Sequence, residues 1–244
     1  MAIAVLPLRS VGMSPRQLAR IAGALYLFII LAGVFIFGFV PATIFVSGDV
    51  AATAHNLQAH ELLYRLGLVV HVAVLPLNVP LALILYDLFK VVSRRAALLL
   101  LFFSLVGTAV EGASLLNQFA PLALLGNGPY SGAMPAAQLH ALAYLQLDLH
   151  STGYNVGQVI YACYLLAAAF VVLRSTFFPR VVGLLLAIGA VSYLAYSFSS
   201  FLSPGFAAHL VPYIQLPSLV GEGSLCLTLL AGAINVPRWT EQAA

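Results

Sequence analysis

Residues 96–125, AALLLLFFSLVGTAVEGASLLNQFAPLALL, carry one charged side chain, Glu111, in thirty positions. A helix crossing the roughly 30 Å hydrocarbon core of a bilayer needs about 20 residues. The run exceeds that length and follows the basic pair Arg94 and Arg95. It predicts a membrane-spanning helix that starts at a water-facing basic end and is closed by the turn-forming GNGPYSG at 126–132.

The rest of the chain repeats the pattern. Of 244 residues, 62% are hydrophobic and 7% charged, with a mean hydropathy of +1.04, well outside the range of soluble domains. Further spans are predicted at 18–46, 61–89, 150–173, 181–202 and 209–236. Ser14 and Pro15 supply N-cap and first-turn chemistry for the first of them. That helix is too long for a signal peptide and no small-residue cleavage site follows it, so it reads as a retained span. The expectation is an all-α integral membrane six-helix bundle over 1–244, a single transmembrane domain without a soluble one or an internal duplication.

Two shorter segments are expected to be surface helices on the outer face. One covers 49–60, capped by Asp49, and the other 136–149, with Leu139, Leu142, Leu145 and Leu149 near one side. Asp148 is then the N-cap of the fourth span. Arg9, Arg16, Arg20, Lys90, Arg94, Arg95, Arg174, Arg180 and Arg238 fall at the opposite helix ends, which the positive-inside rule assigns to the cytoplasm together with both termini. Arg65 alone breaks the pattern, with Glu61 one turn away or lipid headgroups as its partner.

The net charge of +3 is scattered between apolar runs, without the clustered basic and aromatic residues that grip nucleic acid, so no nucleic-acid partner is expected. Cys163 and Cys226 lie in apolar runs and read as packing residues. His71, His150, Glu111 and Glu222 would form a metal set only if four helices converged. With no HExxH or paired-histidine spacing in the chain, no metal and no cofactor is expected. Nothing resembles a nucleophile elbow either.

Glu111 and Glu222 are the residues that point to function. A carboxyl at membrane depth costs several kcal/mol unless it is protonated, paired or wetted. At 1.5 Å per residue from the nearest basic residue, Glu111, Glu222 and Gln158 lie about 24 Å deep, and His71 and Asn155 about 28 Å. Asn117 and His150 lie at about 33 and 36 Å, and Asn78 and Tyr161 at about 18 to 20 Å. His150, Tyr154, Gln158 and Tyr161 follow a helical three-four spacing, and His71 and Asn78 are seven apart. Gly153, Gly157, Gly221 and Gly223 leave room for close approach. Pro76, Pro80, Pro212 and Pro217 predict kinks in the second and sixth spans.

These faces are expected to wall an outward-facing polar pocket. Its candidate reactive groups are Glu111, Glu222 and His150, and its candidate ligand-binding wall is His71, Asn78, Asn117, Tyr154, Asn155, Gln158 and Tyr161. Several of these residues have a plainer role open to them, as interhelical hydrogen bonds that tie the bundle together. Three functions follow from such a pocket: binding of a small or lipid-like ligand, acid-base catalysis on an apolar substrate, and proton-coupled transport. Membrane lipids are the expected partners. The cytoplasmic half is nearly all apolar apart from Asp87, which counts against transport.

The segments GDVAATAHNLQAHELLYRLGLVV, VEGASLLNQFA, DLHSTGYNVG at 148–157, the joint from Arg180 to Gly189 and VGEGSLCLTLLAGAINV resemble domain-of-unknown-function family 4386, a group of bacterial polytopic membrane proteins. The likeness runs from about Arg16 to Val236. It implies a helical membrane fold in a bacterial cytoplasmic membrane and brings no established activity with it.

Overall fold

The Ser14 hydroxyl accepts the Gln17 N–H while the Gln17 side chain accepts the Ser14 N–H, a capping box that starts α1 (Pro15–Gly33). This structure, a computed structural model, describes residues 13–126, 128, 130 and 134–244. Most of the expected turn at 126–132, and Arg9, lie outside the described residues. α1 runs without a break through a π-helical turn, Val34–Phe39, into α2 (Val40–Ile44), forming a first span of 30 residues. Asp49 caps α3 (Val50–Ala59) through the Ala52 N–H, as its sequence suggests.

α4 (Glu61–Val74), a 3-10 turn at Leu75–Leu77 and α5 (Asn78–Phe89) form the second span, its α-helical bonding interrupted where Pro76 removes a backbone donor. Ser93 caps α6 (Arg94–Leu125). α7 (Ala136–Arg174) and α8 (Arg180–Leu202) complete five helices long and apolar enough to cross a membrane. Leucines 62, 116 and 202 are 73%, 70% and 85% exposed, whereas His71 and Glu111 are 1% and 9% exposed. Apolar side chains outside and polar ones inside suit lipid as the surrounding solvent.

Two expectations need correction. The 136–149 segment is not a separate surface helix. It continues into the fourth span as α7, 39 residues long, because no proline or turn pair interrupts LHALAYLQLDLHSTGYNV. Asp148 therefore caps nothing: its backbone carbonyl accepts the Thr152 hydroxyl in mid-helix.

The stretch expected as one sixth span is divided. α9 (Pro204–Leu210), a 3-10 turn at Tyr213–Gln215 and α10 (Leu216–Leu230) replace it, with the break at Val211 and Pro212 and with Pro217 in the first turn of α10. α10 has 15 residues, about 22 Å of helix. It ends at Gly232, whose φ of +63° is the left-handed conformation that glycine adopts at a helix C-terminus. α11 (Val236–Ala243), capped by Asn235, follows.

The basic residues gather at one end of the bundle. Gly232 packs against the side chains of Arg16 and Arg20. The Trp239 indole N–H donates to Leu88 O at 2.9 Å, and the Gln242 amide donates to Arg174 O at 3.3 Å. The start of α1, the α5–α6 and α7–α8 joints and the C-terminal helix thus share that end. Above it lies the main apolar core, built from Leu85, Leu88, Phe89, Leu100, Leu165, Val172 and their neighbours.

Candidate functional site

Glu111 sits on the buried face of α6 that also carries Ser104, Gly107 and Ser114, at three-four spacing. α7 lies against that face. Gly107 brings the helix against the Tyr161 ring, where an added Cβ would come within 3.1 Å, and Gly153 seats the Ser114 side chain directly on the α7 backbone. Packing this close brings the polar residues of the two helices into bonding range.

Glu111 Oε1 lies 2.9 Å from His71 Nε2 on α4, and Tyr161 donates to Oε2 at 3.4 Å. The Tyr161 hydroxyl also meets Thr108 Oγ1 at 2.9 Å. One turn outward, Ser114 Oγ donates to the His150 carbonyl at 2.9 Å, and His150 Nδ1 lies 3.2 Å from Ser114 O. The two imidazoles meet edge to face with centroids 6.1 Å apart. Phe37, carried on the π-helical turn of the first span, packs on both His71 and Tyr154, at 5.2 and 4.5 Å. A π-helical turn is uncommon and often accompanies a functional site.

Glu222 belongs to a second cluster. Tyr26 on α1 donates to Oε2 at 2.8 Å, and Tyr193 on α8 donates to Oε1 at 2.6 Å. Tyr26 shares its core with Tyr164, whose ring meets Tyr161 edge to face at 6.2 Å. Here too, backbone approaches set the geometry. Gly23 lies against the Leu230 backbone and Gly189 against Ser218, so that Tyr26 and Tyr193, each about one turn further along, reach the carboxyl. Tyr161, which donates to Glu111, and Tyr164, packed in one core with Tyr26, are the contact between the clusters.

The structure brings together Glu111, His71, His150, Tyr154, Gln158 and Tyr161, with the Gln158 amide donating to Tyr154 Oη at 3.2 Å. Asn155 is buried beside them. Asn78 and Asn117 are half-buried, and neither side chain makes a hydrogen bond among the described residues. Tyr26, Tyr193, Tyr164, Thr108, Ser114 and Phe37 were not singled out in the sequence, because hydroxyls and rings in apolar helices are common packing residues.

Each glutamate oxygen has a partner. Two nearby atoms do not: His71 Nδ1 and Gln158 Oε1 are buried without a hydrogen bond. With Nε2 engaged by Glu111, the other imidazole nitrogen is left as either an unused lone pair or an unused N–H, depending on tautomer and charge. Such atoms cost roughly 1–3 kcal/mol each when left dry. Two hollows among the described residues lie away from the cluster. One, of about 370 Å³, lies by Thr176, Arg238, Glu241 and Gln242, and one of about 260 Å³ lies between α4 and α6. Neither is lined by Glu111 or Glu222. No group of three metal-ligating side chains occurs among the described residues.

One family profile matches the sequence over residues 21–232, and its description reads "Domain of unknown function (DUF4386)". Neither a curated protein nor a solved structure matches the chain.

Proposed function

Because the chain belongs to the DUF4386 family, whose description assigns no activity, we propose from the chemistry of the cluster that it is a bacterial cytoplasmic membrane protein binding a small or lipid-like ligand. The binding groups are His71, Glu111 and Gln158, with His150, Tyr154, Asn155 and Tyr161 around them. On this reading the whole chain is one transmembrane domain, α9 and α10 together form the sixth crossing, and both termini are cytoplasmic. The observation that carries the proposal is the pair of unpartnered buried atoms, His71 Nδ1 and Gln158 Oε1. Buried polar atoms are almost always bonded to protein or water, so a bonding position left open at each of two neighbouring groups suits a polar guest. Phe37, about 37% exposed, is the side chain that must move to admit it.

A second reading is an enzyme that acts on an apolar substrate, and the 2.9 Å pairing of His71 with Glu111 favours it, since a proton is readily shared within such a pair. Transport has less support, because the core between the cluster and the basic end is built from leucine, valine and phenylalanine.

Native mass spectrometry of gently solubilised protein, with metal analysis, tests the proposal. The wild type is expected to carry a bound mass that Glu111→Gln loses while keeping its fold, and that Glu222→Gln, in the separate tyrosine cluster, retains. Equal occupancy in the wild type and Glu111→Gln overturns the assignment.

A further inference from the structure

The hollow of about 260 Å³ between α4 and α6 lies outside the polar cluster and has its own chemistry. Leu68, Val69, Val72, Phe119 and Leu122 line it, and Arg65 stands at one end. Val69 and Val72 are 64% and 48% exposed, so this is a groove on the bundle's outer surface rather than a sealed cavity. It follows α4 for the eight residues from Arg65 to Val72, roughly 10 Å. Its two walls are fixed to each other by the Tyr64 hydroxyl, which donates to Gln118 O at 2.6 Å.

Arg65 gives this groove a polarity. It stands near the start of the second span, whereas Lys90, Arg94 and Arg95 lie at the far end. Its Nε–H bonds Glu61 at 2.7 Å, and the terminal nitrogens of the guanidinium make no hydrogen bond among the described residues. A guanidinium presents a planar fork suited to a phosphate or carboxylate. We infer that the α4–α6 groove is a binding site for an anionic phospholipid of the surrounding bilayer, with the phosphate on the free edge of Arg65 and one acyl chain lying along Leu68, Val69, Val72, Phe119 and Leu122. An apolar trough of this length takes part of one chain, and a cation at its mouth selects the headgroup by charge.

The test is a titration of delipidated protein with phosphatidylglycerol or phosphatidylcholine, read by native mass spectrometry, with melting temperature as the check on folding. The wild type is expected to bind one more phosphatidylglycerol than Arg65→Gln, with about fivefold preference over phosphatidylcholine at that site. Glu61→Gln, which removes the competing carboxylate, is expected to raise that affinity. Val69→Trp, at a position facing lipid and safe for folding, is expected to lose the extra lipid by filling the trough.

Unchanged phosphatidylglycerol binding in either Arg65→Gln or Val69→Trp overturns the site. Displacement of the bound lipid by millimolar glycerol phosphate, which has no acyl chain, also overturns it in favour of a free-anion site. The ligand proposed for the His71 and Glu111 cluster is independent of this groove, and Arg65→Gln is expected to leave its occupancy unchanged.

Discussion

Glu111 and His71 show how one residue pair can be both a liability and a constraint. Each alone would be costly at this depth, and together they satisfy one another. Replacing His71 by Phe is expected to lower thermal stability by leaving Oε1 without a partner, and Glu111→Leu to do the same by leaving both imidazole nitrogens unbonded. The double variant is expected to be less damaged than the sum, with a coupling of about 1–2 kcal/mol in a double-mutant cycle. Additive losses would mean that the 2.9 Å contact contributes nothing. Both residues are legible in the sequence as polar groups at nearly equal depth. Their bond is not, because the helical rotation of α4 against α6 is set by packing that no periodicity records. Glu222 shows the same limit. Its burial face is readable, but its tyrosine partners arrive from α1 and α8, and nothing in ALYLF or AVSYLAY marks Tyr26 and Tyr193 as donors rather than core rings.

At the scale of the element, small residues decide which helices meet. A Cβ on Gly189 would come within 2.8 Å of the Ser218 Cα, a backbone atom that cannot swing aside. Gly189→Ala is therefore expected to push α8 from α10, lower the melting temperature and lengthen the Tyr193 to Glu222 bond. Gly223→Ala, with nothing within 4 Å of the added methyl, is expected to be neutral. The measurement is a thermal unfolding curve for each variant in detergent, and equal stability of the two would show that α8 and α10 are not held at this distance. Helix starts with a capping side chain, at Ser14, Asp49 and Ser93, could be read from the chain to within a few residues. The boundary expected at Asp148 could not, since an aspartate outside a proline or glycine context fits mid-helix as well as a cap. α11 begins where the expected sixth span ends, at Val236, and it is docked by the Trp239 bond to Leu88 O together with bonds from Gln242 to Arg174 O and from Arg238 to Thr176 O.

Across the whole molecule, eight basic residues from α1, α5, α6, α7, α8 and α11 lie at one end of the bundle: Arg16, Arg20, Lys90, Arg94, Arg95, Arg174, Arg180 and Arg238. An orientation with that end in the cytoplasm follows from the positive-inside rule. Alkaline phosphatase fused after Ala244 is expected to be inactive and a fluorescent protein at the same place bright; the reverse pattern would invert the topology. The membrane class and most of the helix plan were visible in hydropathy alone. The division of the stretch expected as the sixth span was not, because apolar composition runs on through Val211 and Pro212 while the helix does not.

α7 has a consequence for observing the protein. At 39 residues it is about 58 Å long, against about 40–45 Å for a bilayer with its headgroups. An upright α7 with Arg174 at the basic face would carry its first two turns, where Gln138 and His140 are found, clear of the headgroups. Tyr144 braces that stem by stacking on Phe45 and accepting the Gly48 N–H. A 25.9 kDa membrane protein offers electron microscopy little to align on. This stem is a rigid epitope, and an antibody fragment clamped to it would supply the asymmetric bulk that particle images need.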